Sequence, residues 1–135
     1  MENHGIDSQG AVLLNASGLS RDARLSPRQL VQTTAVLGTH PQWRHEAIAS
    51  MAIYGRDGTV RNRLHTSPAV DRVRAKTGSL SGVSAISGIA ETLANQTLVF
   101  TFMVDELPDD ISARPIWNQM IESIVETCPE PQDQP

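Results

Sequence analysis

Val73-Arg74-Ala75-Lys76-Thr77-Gly78-Ser79 is the stretch on which the fold turns. Val73 to Lys76 alternates as a strand does, and a second strand-like segment follows it. Lys76 is the chain's only lysine among eleven basic residues. A lysine, a hydroxyl residue and a glycine at a sheet edge offer a cation, a side-chain donor and an approachable backbone, because Gly78 has no Cβ. Such a surface suits a substrate carboxylate. Taken alone, a Lys-Thr-Gly triplet fits a solvated turn equally well, so its surroundings carry the reading.

Downstream, Ser84 to Ala90 and Leu98 to Val104 have β character and are joined by the polar segment Glu91 to Gln96, which suits a hairpin loop. Three antiparallel strands are expected. Ile116, Trp117, Met120, Ile121, Ile124 and Val125 then form an apolar stripe at helical spacing, so a C-terminal helix is expected on that sheet, with its Met and Trp in the core rather than lining a ligand site. Upstream, Ser26 reads as an N-cap, Pro27 as the first helical residue and Gln29 as the capping-box partner, with Leu30, Val31, Thr34 and Leu37 at helical spacing up to Gly38. A second helix is expected after Pro41, carrying Trp43, Ala47, Ile48 and Met51. Arg56-Asp57-Gly58-Thr59 reads as a turn and Val12-Leu13-Leu14 as a short buried strand ended by Asn15-Ala16-Ser17-Gly18. The fold class is α/β in the α+β sense: an antiparallel sheet with flanking helices.

At 135 residues the chain is long enough for one domain with a core. The net charge is −4 and no basic run exceeds two residues, which argues against nucleic acid as a partner. Five aromatic residues (two Trp, one Tyr, two Phe) are too few for a stacking platform. No apolar stretch approaches the roughly 20 residues of a membrane span. Met1-Glu2-Asn3-His4-Gly5 lacks the charged start and apolar core of a secretion signal. The single Cys128 has no internal disulfide partner.

Candidate chemistries narrow quickly. His40, His45 and Glu46 do not have His-Glu-x-x-His spacing, and His4 and His65 have no ligand-type neighbours, so no metal or other cofactor is expected. No serine stands at the centre of a Gly-x-Ser-x-Gly elbow; Gly78-Ser79-Leu80-Ser81-Gly82 has leucine there. Gly55-Arg56-Asp57-Gly58 lacks the Lys and Ser/Thr of a phosphate loop. Ser17, Ser20 and Arg21 read as turn and capping residues, and Arg61, Arg63, Arg72 and Arg74 as a loose, solvated cluster able to steer carboxylates.

Three blocks carry a family resemblance. Asn15-Ala16-Ser17-Gly18-Leu19-Ser20-Arg21, followed by Arg24-Leu25-Ser26-Pro27, resembles the Asp-Gly-Ser-Gly-Leu-Ser-Arg block of the D-alanyl-D-alanine carboxypeptidases called class C low-molecular-mass penicillin-binding proteins. Tyr54 to Arg63 is similar to that family's Gly-x-Asp-Gly-Thr-Leu-x-x-Arg segment, and Arg74 to Ala85 to its Ala-Lys-Thr-Gly-Thr-Leu-x-Gly-Val stretch. The resemblance spans about residues 5 to 126. Asn15-Ala16 in place of Asp-Gly departs from the pattern and is expected to weaken a turn or a local contact, whereas Ser79 for Thr is conservative.

The resemblance implies a β-lactamase/transpeptidase-like fold and a serine peptidase of peptidoglycan metabolism. Lys76 and Thr77 would hold the terminal carboxylate of a D-Ala-D-Ala peptide or β-lactam. Gly78 would let the substrate lie along the strand, and the Ser79 backbone N–H would serve as catalytic oxyanion donor. A lysine ammonium is cationic at neutral pH, and a threonine hydroxyl adds a directed hydrogen bond. The nucleophile elements Ser-x-x-Lys and Ser-x-Asn occur nowhere in the sequence. In the family both precede the first block, so residues 1–127 read as the C-terminal part of the domain and 128–135 as a disordered, proline-rich acidic tail. Periplasmic or extracytoplasmic placement is implied for the complete protein. The alternative is a non-catalytic fragment or partner-binding module using an exposed sheet edge. An unpaired edge and uncovered apolar face predict association, with the missing N-terminal segment or with a second copy.

Overall fold

The capping box forms as the sequence dictates, and the first helix grows from it. In the computed structural model, which describes residues 4–63 and 65–127, the Ser26 side chain accepts from the Gln29 backbone N–H at 3.2 Å while the Ser26 N–H donates to Gln29 Oε1 at 2.9 Å. Helix α1 spans Pro27–Thr39 and the short α2 spans Arg44–Ser50. The strands are β1 (Ala52–Ile53), β2 (Val73–Leu80), β3 (Val83–Glu91) and β4 (Thr97–Val104), and α3 (Arg114–Glu126) follows. The four strands form one antiparallel sheet in the order β1-β2-β3-β4.

Side chains alternate across a strand, so the register divides the sheet into two faces. On one face Val73, Ala75, Ile86, Ala90 and Phe100 are buried, and Trp117, Ile121 and Val125 of α3 pack onto them. Phe102 and Trp117 stack with centroids 5.5 Å apart, and Trp117 Nε1 donates to Ser84 Oγ at 3.2 Å, so the buried indole N–H is satisfied. Each fully buried aliphatic side chain here contributes roughly 1.5–3 kcal/mol of transfer free energy. The helix-on-sheet expectation holds, although Ile116 and Met120 point outward, 55% and 40% exposed.

The opposite face is held differently. There α1 docks through hydroxyls: Thr34 Oγ1 meets Ser87 Oγ at 2.8 Å, and Ser87 Oγ meets Thr101 Oγ1 at 2.8 Å. The hydrophobic core therefore lies on the α3 side, and the α1 side is only partly covered.

Several expectations need correction. Val12-Leu13-Leu14 is not a buried strand: Val12 makes one isolated bridge with Arg24, and Leu13 and Leu14 are 61% and 57% exposed, since no described element covers them. The sheet has four strands, because Ala52 and Ile53 pair with Ala75 and Arg74. β2 runs on to Leu80, so Thr77, Gly78 and Ser79 are strand residues. The expected tail, with Cys128, lies outside the described residues.

Asp71 precedes β2 with a left-handed φ of 66°, and its carboxylate takes a bidentate pair of hydrogen bonds from Arg56 at 2.6 and 2.5 Å. Those bonds and the guanidinium charge hold the Asp71 carboxyl below its ordinary 3.8. A depressed folded pKa means that the pair contributes above the unfolded value and is lost as pH falls through the folded one. Asp71→Asn tolerates the same φ but removes the charge. Its Tm should lie below that of the unsubstituted chain at pH 7, and the gap should close below about pH 4, the ordinary carboxylate range. A gap constant from pH 7 to pH 3 would show that the ion pair contributes nothing.

Candidate functional site: the open edge of β2

β2 and β3 are joined by Ser81-Gly82, with Leu80 opposite Val83 and Gly82 at φ 76°, a value that glycine adopts without strain. Antiparallel ladders alternate, so which way each backbone group points follows from a few fixed bonds. Glu91 N donates to the Arg72 carbonyl at 2.8 Å on the β3 side, whereas Tyr54 N donates to the Val73 carbonyl at 2.9 Å on the β1 side. With an unbroken register, Val73, Ala75, Thr77 and Ser79 direct their N–H and C=O groups away from β3. β1 ends after pairing with Ala75 and Arg74. Beyond it the backbone of Thr77 and Ser79 faces outward with no strand beside it among the described residues.

Around this edge the four expected site residues are gathered, but not on one face. Lys76 is exposed on the α1 face, where its ammonium donates to the Thr77 carbonyl at 2.5 Å. It rims an apolar groove of about 360 Å³ between α1, α2 and β2, lined by Leu30, Leu37, Ala47, Met51 and Gly78 among others. Thr77 points to the other face, where its hydroxyl lies 2.7 Å from that of Thr59. Strand alternation thus puts the Lys76 and Thr77 side chains on opposite faces of β2. Gly78 has an ordinary strand φ, and a Cβ there would meet only Ala85 Cβ at 3.7 Å. Its packing does not require glycine; the missing side chain keeps the groove floor open beside Lys76. Ser79 is exposed and borders a second, hydroxyl-rich hollow of about 280 Å³ shared with Ser81, Ser84, Ser112 and Asp109.

The segment alongside the edge is firmly anchored. Tyr54 is fully buried and its hydroxyl donates to Asn118 Oδ1 of α3 at 2.5 Å. Arg63, expected in a solvated cluster, is 8% exposed, with one weak contact to the same Asn118 oxygen at 3.5 Å and an unpartnered Nε. Burial pushes the Tyr54 phenol above its ordinary value, opposed by the neighbouring Arg63, whose own value burial lowers. Sequence reasoning missed both, because their partner lies 55 or more positions away. Arg72 instead pairs with Glu91 at 3.6 Å.

Other expected residues sit elsewhere. Asn15 Oδ1 accepts from Gly18 N at 3.1 Å and Ser17 Oγ at 2.9 Å, closing the turn at the first of the resembling blocks. His40 stacks on Trp43 with centroids 3.9 Å apart. Among the described residues no three His, Cys, Asp or Glu side chains come together as a metal site, and no helix is long and apolar enough to cross a membrane.

A family model for the D-Ala-D-Ala carboxypeptidase 3 (S13) family matches residues 1–126. The chain belongs to that family. It is 38% identical over 89 residues to a D-alanyl-D-alanine carboxypeptidase of an Actinomadura species, covering 62% of this chain and 16% of the relative. It is 36% identical over 104 residues to carboxypeptidase DacB of Mycolicibacterium smegmatis, covering 73% of this chain and 23% of that protein. The fold matches penicillin binding protein 4 (dacB) from Haemophilus influenzae with a TM-score of 0.80 at 24% identity, covering 93% of this chain and 30% of that one. The same Haemophilus protein in complex with a β-lactam matches with a TM-score of 0.76 at 25% identity. The chain thus spans less than a third of the length of these family members.

Proposed function

We propose that this chain supplies the substrate-binding strand of a serine-type D-Ala-D-Ala carboxypeptidase or endopeptidase acting on peptidoglycan peptides, the nucleophile coming from the part of the enzyme that the chain does not span. The observation that carries this reading is the open edge of β2, where the Lys76 ammonium and the outward backbone of Ser79 lie on one short stretch of strand. A peptide added along that edge would pair with Ser79 as an extra strand. Its terminal carboxylate would take the place of the Thr77 carbonyl as partner for Lys76. The Ser79 N–H would face the carbonyl oxygen that becomes negative on attack; in other enzymes such a donor contributes roughly 3–4 kcal/mol.

In the complete enzyme a serine hydroxyl attacks the penultimate D-Ala carbonyl. The C–N bond breaks, the amine of terminal D-Ala takes a proton and leaves, and water then hydrolyses the ester. The groove beneath Lys76 supports this division, since an apolar surface beside the carboxylate anchor is left uncovered by the described residues. A complete enzyme of this kind works outside the cytoplasm, where peptidoglycan lies.

The alone-standing chain should not acylate, because it has neither Ser-x-x-Lys nor Ser-x-Asn. After incubation with a fluorescent penicillin and denaturing electrophoresis, no labelled band is expected. A stoichiometric covalent adduct would overturn the division of labour and point to a serine within this chain. The second reading, a non-catalytic partner-binding module, draws on the outer edge of β4, which has no neighbouring strand among the described residues. It would be favoured if the chain bound neither penicillin nor D-Ala-D-Ala peptides even when joined to a nucleophile-bearing segment.

A further inference from the structure

Four residues of β2 direct their backbone outward on the β1 side, and their surroundings differ. The Val73 carbonyl accepts from Tyr54 N, Ala75 is paired by β1, the Thr77 side-chain hydroxyl is met by another hydroxyl, and Ser79 is exposed. The hydroxyl belongs to Thr59, in a 3-10 turn spanning Gly58–Val60 that packs beside Ala52 of β1 on the face to which the Thr77 side chain points. The position of Thr59 is fixed from both sides. Before it, Ile53 N donates to Asp57 Oδ1 at 2.6 Å, and Gly58 sits on β1 so closely that a Cβ would approach Ala52 Cβ to 2.8 Å. After it, Val60 is fully buried and its carbonyl accepts from Gly55 N at 3.1 Å.

A threonine hydroxyl has one hydrogen to donate and two lone pairs to accept with. The Thr59–Thr77 contact uses one of the pair's two hydrogens, and either oxygen can be its donor. If Thr77 donates, its hydrogen is spent on Thr59. If Thr59 donates, the Thr77 hydrogen is free for an anion at the strand edge. An incoming carboxylate selects the second arrangement, because it can only accept.

We propose that Thr59 is a positioning residue for carboxylate recognition: it donates to Thr77 Oγ1 and thereby turns the Thr77 O–H toward the ligand carboxylate held by Lys76. This rests on the substrate-strand reading above and adds a residue that contacts the carboxylate only through Thr77. It also explains how Thr77, on the face opposite Lys76, serves the same anion: the Thr59 hydroxyl fixes its rotamer at the edge.

The test uses the isolated chain, isotopically labelled, with N-acetyl-D-alanyl-D-alanine and its C-terminal amide as probes in an NMR titration. In the unsubstituted chain the acid should shift the Thr77 methyl and Ser79 amide signals at lower concentration than the amide does. Thr59→Val, which keeps the shape and removes the hydroxyl, should cut that acid-over-amide preference by roughly twofold to tenfold while Ser79 still responds, the range expected for one neutral hydrogen bond. Thr59→Ser should restore it. A purely structural Thr59 would instead weaken acid and amide equally. Full preference in Thr59→Val would overturn the proposal while leaving the substrate-strand reading intact. Absence of any response to either probe in the unsubstituted chain would overturn both. Should Thr59→Val not fold, as shown by loss of amide dispersion, Thr59→Ala carries the same expectation.

Discussion

In a complete enzyme made by joining this chain to the nucleophile-bearing part of a relative, Lys76→Met should abolish the distinction between a peptide acid and its C-terminal amide. Methionine keeps much of the stem volume, and Lys76 is exposed, its ammonium donating to the neighbouring Thr77 carbonyl. Folding should therefore survive. A hydrogen bond to a charged group contributes about 1.5–3 kcal/mol and a neutral one about 0.5–1.5, so kcat/KM for a D-Ala-D-Ala peptide should fall by at least about tenfold, and by more than for Thr77→Val. The paired measurement is kcat/KM on the acid and on the amide. Unaltered discrimination would return Lys76 to a structural role at a strand edge.

The largest effect on stability is expected at Gly88. It lies in β3 opposite Ala75 of β2 and Phe100 of β4. A Cβ there would fall on the Arg74 carbonyl oxygen and within 3.0 Å of Ala75 Cα, so backbone rather than a flexible side chain would have to move. Gly88→Ala should cost roughly 3 kcal/mol, at the upper end of overpacking effects, and lower Tm by well over 5 °C. Gly78→Ala is the control, since its Cβ finds ordinary contact distance. Thermal unfolding of both variants checks this. Equal Tm values would mean that β2 and β3 separate freely at this point, contrary to their continuous register.

What could be read from the sequence was local or periodic. The Ser26-Pro27-x-Gln29 start of α1 has its whole cause within four residues, and the α3 stripe repeats a spacing that only one helical face satisfies. The resemblance of three blocks located the strand carrying Lys76 to Ser79. What escaped depended on distant partners. β1 is two residues long and exists only because β2 arrives from position 73 onward. Thr77-Gly78-Ser79 have turn-like composition, yet Ile86, Ala85 and Ser84 across the ladder hold them extended. Arg63 belongs to a run of arginines that reads as solvated, and only Asn118 and Tyr54 reveal its burial. Thr59 stood in a turn and within the second resembling block, but nothing local showed its contact, which is with a hydroxyl 18 positions away.

The brevity of β1 has a further consequence for what the sheet admits. A long bare edge recruits any extended chain, including another copy of itself, and proteins commonly blunt such edges. Here the two residues of β1 leave only Thr77 and Ser79 as outward-facing rungs without a neighbouring strand among the described residues before the Ser81-Gly82 bend. So short a landing strip gives a passing strand too few hydrogen bonds to stay. On the function proposed above, a guest that also met the lysine would remain, and the sheet edge would be selective for chain ends rather than for chains.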